Sequence, residues 1–197
     1  MRELILKMSI SIDGFVASAD GGNQWVVDTR DPKAGEWMVN ALWDASLHIV
    51  GSRSFRDWAR YWPTATTMFA PPMNQIPKAV FSRQGTSILA GIDPTAAAES
   101  WAKAYVAAGD LKEEIAKLKS QDGKPIIAHG GVIFARSLVA AGVVDRYVLM
   151  VHPVVLGKGL PLFVDLPAPQ ILQLVSTTTF PRGGIVKVYR PAETVSL

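Results

Sequence analysis

The sequence predicts an α/β domain built on a mixed, mainly parallel sheet of about eight strands, with an antiparallel edge toward its C-terminal end. Three observations predict it. Apolar runs of period two alternate with stretches of helical spacing through the first three-quarters of the chain, and the final third holds consecutive strand-like runs. The chain has 197 residues, 49% hydrophobic and 19% charged, the material of one sizeable core. No period repeats. The only linker-like segment, residues 63 to 77, reads as a surface excursion, so residues 1–197 are taken as a single domain.

The elements follow in order. Leu4, Leu6, Met8, Ile10 and Ile12 share one side of an opening strand and Ile5, Lys7, Ser9 and Ser11 the other, and the turn pair Asp13-Gly14 ends it. Residues 19–23, Ala-Asp-Gly-Gly-Asn, form a loop too polar and glycine-rich for a regular element. From Glu36 a helix places Met38, Ala41, Leu42 and Ala45 in one stripe and runs into a strand from Leu47 to Val50, closed by Gly51. Ala79 to Ser82 and Thr86 to Ala90 read as short strands. Asp110 has N-cap chemistry with Glu113 three residues on, and Leu111, Ile115 and Leu118 repeat at helical spacing. Pro125 to Ala128 is a buried strand, and Gly130-Gly131 opens a helix carrying Phe134, Leu138 and Ala141, with Gly142 closing it. Tyr147 to Val151, Ile171 to Val175 and Ile185 to Tyr189 complete the strands.

Composition removes several function classes. With no cysteine there is no disulfide scaffold, thiolate metal site or cysteine nucleophile, and His48, His129 and His152 lack metal-ligand spacing. His129 and His152 read as packed or hydrogen-bonded residues. A net charge of +3 from scattered bases gives no polyanion-binding tail, so no nucleic-acid partner is expected. The first fourteen residues are interrupted by Glu3, Lys7 and Asp13 and make neither a signal peptide nor a membrane span, so a cytoplasmic protein is expected.

In such sheets ligands bind at the carboxyl ends of the strands. There the sequence places Gly51-Ser52-Arg53-Ser54, then Ser82-Arg83, then His129-Gly130-Gly131 at a helix start. A diglycine at a helix N-terminus lets backbone N–H groups approach an anion and adds the positive end of the dipole, which suits a pyrophosphate. Arg53 and Arg83 supply fork-like donors for a phosphate monoester. Each feature alone is equally a tight turn or solvated surface. Together they describe a dinucleotide with an extra phosphate.

The segments MSISIDGFVA (8–17), VGSRSF (50–55), PKAVFSR (77–83), IIAHGG (126–131) and DRYVLMVHPVVLGKGLPLF (145–163) resemble the dihydrofolate reductase-like superfamily. Within it the chain is most similar to the C-terminal reductase domain of the bacterial riboflavin-biosynthesis deaminase-reductase and its stand-alone relatives. The resemblance covers nearly the whole chain. It implies the three-layer fold of that superfamily, an NADPH cofactor, a small-molecule substrate and commonly a homodimer. Carried over position by position, it puts Val16 and Ala17 beside the nicotinamide near the backbone of Ser9 and Ile10. Gly51, Arg53 and Ser54 would hold phosphate, Ser82 and Arg83 would face the adenosine end, and Gly130 and Gly131 would receive the pyrophosphate. Ser52 stands where the family pattern usually has a basic residue, which leaves Arg53 as the nearer donor.

The implied chemistry is hydride transfer from reduced nicotinamide to a small heterocycle, as in reduction of 5-amino-6-(5-phosphoribosylamino)uracil, followed by proton delivery. The loop over residues 18 to 25 is the element expected to exclude water, and Trp25 is either a cover for the substrate or a core anchor. Folate reduction depends in the wider superfamily on a buried carboxylate after this tryptophan, and Arg30 falls about there. Asp28 and Asp31 are the nearby acids, each equally explained as a helix-start residue, so dihydrofolate reductase proper is not expected. Arg56, Lys158 and Arg30 are candidate contacts for a substrate phosphate. Two further readings remain: a silent NADPH-binding module, and a Rossmann dehydrogenase, which the missing G-x-G-x-x-G disfavours.

Overall fold

A computed structural model describes residues 1–95 and 97–192. Strand β1 (Leu4–Ser11) leads through the Asp13-Gly14 turn into β2 (Phe15–Ser18), the short helix α1 (Gln24–Asp28) and α2 (Pro32–Trp43). There follow β3 (Leu47–Gly51), α3 (Ser52–Tyr61), α4 (Ala70–Gln75), β4 (Lys78–Phe81), α5 (Glu99–Ala102) and β5 (Tyr105–Ala107). The remainder is α6 (Leu111–Lys119), β6 (Ile126–His129), α7 (Val132–Ala140), β7 (Arg146–His152), β8 (Gly159–Pro161), β9 (Leu172–Thr179) and β10 (Ile185–Pro191). Eight strands form one sheet in the order β5-β4-β3-β6-β1-β7-β10-β9, parallel from β5 to β7 and antiparallel across β10 and β9. Strands β2 and β8 pair separately as an antiparallel ribbon.

The alternation of β1 sets the layers. Leu4, Leu6, Met8 and Ile10 pack with Ile115 and Leu118 of α6 and with Phe134 and Leu138 of α7. The opposite sheet face is covered by α2, α3, α4 and α5 through Leu42, Phe55, Met73 and Trp101. The result is the three-layer α/β arrangement, with β1 in the middle of the sheet. Among the described residues no helix is long and apolar enough to cross a membrane.

Several sequence expectations need correction. Residues 86–90 are not a strand: Gly85–Leu89 is a 3-10 turn, and the outer strand is β5, whose three residues are too few to show a period. Residues 63–77 are more than a surface excursion, because α4 lies within them and buries Ala70, Pro72 and Met73. Paired prolines read as a breaker, but Pro is at home in a first helical turn. The helix expected from Glu36 starts at Pro32, where the Asp31 carboxylate caps it by accepting from the Lys33 and Ala34 amides. Helix α3 follows β3 directly, where the sequence shows only a polar turn.

Candidate functional site

Four of the helices have nine residues or more, and their N-termini differ in kind. Asp31 caps α2, and Asp110 caps α6 by accepting from the Lys112 and Glu113 amides. Helices α3 and α7 begin at Gly51 and Gly131 with no side-chain cap, leaving their first amides free. Both open at the carboxyl ends of adjacent parallel strands, β3 and β6. The two ends touch: a Cβ on Gly131, whose φ is +80°, would lie 2.9 Å from Ser54 Oγ, and one on Gly51 would meet Phe134 Cβ at 2.8 Å. A Cβ on Gly130 would lie 3.2 Å from Cε of Met8 on β1. The three glycines therefore let two positive helix ends converge on one edge of the sheet.

Ser82 and Arg83 follow β4, the next strand out. The Ser82 hydroxyl accepts from the Gln84 amide and shapes that turn, and Arg56 of α3 donates to the Gln84 side chain across it. Arg53 and Arg83 are exposed, with no hydrogen bond or ion pair among the described residues. On the other side, Val16 and Ala17 of β2 have buried side chains. The Asp13 carboxylate holds the neighbouring turn, accepting from the Leu156 amide, from the Gly157 amide at 2.7 Å and from the Ser11 hydroxyl at 2.6 Å. Lys158 is exposed beside that turn.

Neither candidate acid is placed as a proton donor. Asp31 is buried, but its carboxylate is committed to the Lys33, Ala34 and Arg182 amides. Burial pushes its carboxyl up, and those three bonds outweigh the effect and hold it below the ordinary value. Asp28 is exposed and accepts from Gln24. The Arg30 guanidinium lies 5.9 Å above the Phe69 ring.

The structure instead brings forward residues that sequence reasoning misses. Lys7 is half-buried on β1, beside His129 of β6 in register, and has no hydrogen-bond or ion-pair partner among the described residues. Burial lowers its amine from 10.5 to about 8. His129 and His48 are buried edge to face, ring centroids 4.5 Å apart, and both imidazoles are pushed well below the ordinary value, by burial first and then by nearby positive charge, that of Lys78 and Lys7 among them. His152, at the end of β7, is buried and hydrogen-bonded on both sides: Nδ1 to Thr29 Oγ1 at 2.8 Å, Nε2 to Ser9 Oγ at 3.2 Å. Its imidazole is lowered to about 4, by burial first and then by the charge of Lys7. Trp25 of α1 packs edge-on against it at 5.3 Å and is buried with an unpartnered indole N–H. The one available signal is Lys7 itself, a charged residue in the strand nearest the ligand edge.

This architecture has known counterparts. The family described as RibD C-terminal domain matches residues 2–186. The chain is 31% identical to protein YyaP of Bacillus subtilis (strain 168), over 95% of this chain and 94% of that one. Its fold is similar to that of a riboflavin biosynthesis protein from Shewanella sp. PV-4, with a TM-score of 0.75 at 18% identity, covering 97% of this chain and 99% of that one. It is also similar to the Thermotoga maritima diaminohydroxyphosphoribosylaminopyrimidine deaminase/5-amino-6-(5-phosphoribosylamino)uracil reductase, with a TM-score of 0.64 at 16% identity. That match covers 97% of this chain and 57% of the longer one. By the extent of these matches, the chain belongs to the RibD C-terminal domain family.

Proposed function

We propose that the protein is an NADPH-dependent reductase that transfers hydride to a small heterocyclic substrate, similar to 5-amino-6-(5-phosphoribosylamino)uracil reductase. The observation that carries this reading is the pair of uncapped helix ends meeting at Gly131 and Ser54, a cradle whose free amides fit a pyrophosphate. Gly51, Ser54, Gly130 and Gly131 then hold phosphate, with Arg53 replacing the base that Ser52 lacks. Ser82 and Arg83 take the adenosine end, and the backbone of Val16 and Ala17 borders the nicotinamide. When bound, the cofactor supplies the hydride.

The chain's own part is to exclude water and supply a proton. Trp25 and its helix close over the end of β7. Lys7 Nζ is the proton donor in place of the missing carboxylate, since an ammonium lowered to about 8 is charged at neutral pH yet gives up its proton readily. A silent NADPH-binding module has the same cradle, and Lys7 separates the two readings. The outer strand β9 leaves Leu174 and Val175 exposed, an edge suited to a second copy of the chain, and light scattering should report a dimer.

Titration with NADPH, followed by quenching of tryptophan fluorescence, should saturate below about millimolar cofactor. No saturable change overturns the reading. NADPH oxidation with the phosphoribosylaminouracil then distinguishes the reductase, and its loss in Lys7→Met identifies the donor.

A further inference from the structure

We propose that the heterocycle this protein reduces carries a carboxylate, and that the Lys7 ammonium is its counter-ion. The inference rests on the reductase reading for the place of the ligand, and it names the class of substrate that the site takes. On the sheet face that carries Lys7, the covering layer packs as two clusters, one around Phe55 and Trp101 over β3, β4 and β6, the other around Met38 over β7 and β10. Strand β1 lies at the seam between them. The clusters meet at Ile5, which packs against both, and Lys7 stands two residues nearer the carboxyl end on the same face. Ile5, Lys7 and Ser9 are each partly exposed, whereas Leu4, Leu6, Met8 and Ile10 on the opposite face are buried. Solvent reaches the middle of an eight-stranded sheet in this way only where the helices above it part. Lys7 is therefore on the floor of a cleft, and its neighbour His129 leads directly into Gly130 of the cradle.

The charge in this cleft has no counterpart in the chain. Across the sheet Lys7 pairs in register with His129 on one side and Val148 on the other, and no ion pair includes it among the described residues. The imidazoles of His129, His48 and His152 are all lowered chiefly by burial and bring no negative charge. Asp31, the buried acid at the start of α2, is committed to the Lys33, Ala34 and Arg182 amides. Arg30, between α1 and α2, is exposed and lies over the Phe69 ring. An ammonium weakened by burial alone regains its ordinary stability when an anion enters beside it. The donors decide which anion fits. A phosphate brings up to two charges and calls for several donors, whereas here one ammonium stands alone and the Ser9 hydroxyl is engaged with His152. A carboxylate matches that single cation. Trp58 of α3, partly exposed and edge-on to His129 at 5.7 Å, gives the adjoining wall an aromatic surface for a flat ring. An ammonium has three protons, so Lys7 holds the carboxylate with one and keeps another for the reacting atom.

The test compares orotate with its amide, orotamide, two pyrimidinediones of the same shape that differ in charge, by calorimetry on the full chain with and without NADPH. Orotate should bind roughly tenfold more tightly. In Lys7→Met the two should bind alike, through loss of affinity for orotate alone. In wild-type protein with 15N-labelled lysine, orotate and not the amide should raise the pH at which the Lys7 amine titrates, a readout that needs no variant. Equal affinities, no saturable binding of either compound, a preference for orotate that survives in folded Lys7→Met, or a Lys7 titration that orotate leaves in place overturns the proposal. So does displacement of orotate by inorganic phosphate at equal concentration, which would assign Lys7 to a phosphate. A protein that binds orotate through Lys7 but fails to bind NADPH would sink the reductase reading and leave the pairing standing. NADPH binding with no preference between the two compounds sinks the pairing alone.

Discussion

Replacing Lys7 by methionine should stabilise the protein while removing the proposed proton donor. The substitution keeps an unbranched stem of similar length and deletes the charge. In the fold the amine falls from 10.5 to about 8, so holding it charged costs about 3 kcal/mol, an upper figure because the side chain keeps some contact with water. Between those two values the unfolded chain binds the proton and the folded chain does not. Native stability therefore rises with pH across that window and carries the whole penalty below it. At about pH 7 the variant escapes the penalty and should melt higher by roughly 6–12 °C for a domain of this size. His48, His129 and His152 are also relieved of the Lys7 charge, which acts in the same direction. Urea unfolding at about pH 7 and again above about pH 10.5 measures the effect, with the gap between the two proteins closing at the higher pH. A variant no more stable than wild type at neutral pH would refute the reasoning, because it would mean that water solvates the ammonium fully.

The cradle and its supports make further outcomes checkable. Gly131→Ala forces a side chain to φ +80°, costing about 1–2 kcal/mol, and presses its Cβ onto Ser54 Oγ. It should lower the melting temperature and weaken NADPH binding by calorimetry, and unchanged affinity would show that the two helix ends do not share the ligand. Arg83→Ala should cost NADPH roughly tenfold in affinity and leave NADH unaffected; equal losses for both would move Arg83 away from the extra phosphate. Asp13→Asn should speed amide exchange at Leu156 and Gly157. In the wild type the Ser11 hydroxyl and those two amides hold the Asp13 carboxyl below its ordinary value, so its clamp is present at neutral pH and is lost as pH falls through that lowered value.

Much of the sheet is legible because buried parallel strands are short apolar runs, and β3, β4, β6 and β7 announce themselves that way. The glycines of the cradle are legible too, since Gly51, Gly130 and Gly131 sit at element boundaries, where a missing side chain signals a close approach of two backbones. Helix α3 is hidden because Ser52–Tyr61 is mostly polar and its apolar face rests on Phe55, Ala59 and a partly buried Trp58. Strand β5 is held by pairing with β4 rather than by its own pattern. Lys7 and Ser9 are hidden for a different reason. In an isolated strand, alternating polar residues mean a solvated face. Here that face lies under helices, and nothing local in the sequence distinguishes the two cases. His152 reads as packed, which it is, but its two partners come from residues 143 and 123 positions away.

The central position of β1 constrains how the molecule is made. Its neighbours in the sheet are β6 and β7, so the first strand synthesised is flanked only by segments beginning at Ile126 and Arg146. On the ribosome, β3 and β4 can associate early, whereas residues 4–11 must wait, apolar and unpaired, until most of the polypeptide has emerged. The N-terminal strand therefore completes its pairing only once the two later strands that flank it have emerged. The same pairing carries Lys7 into place beside His129, so the candidate site matures only as the tertiary structure closes.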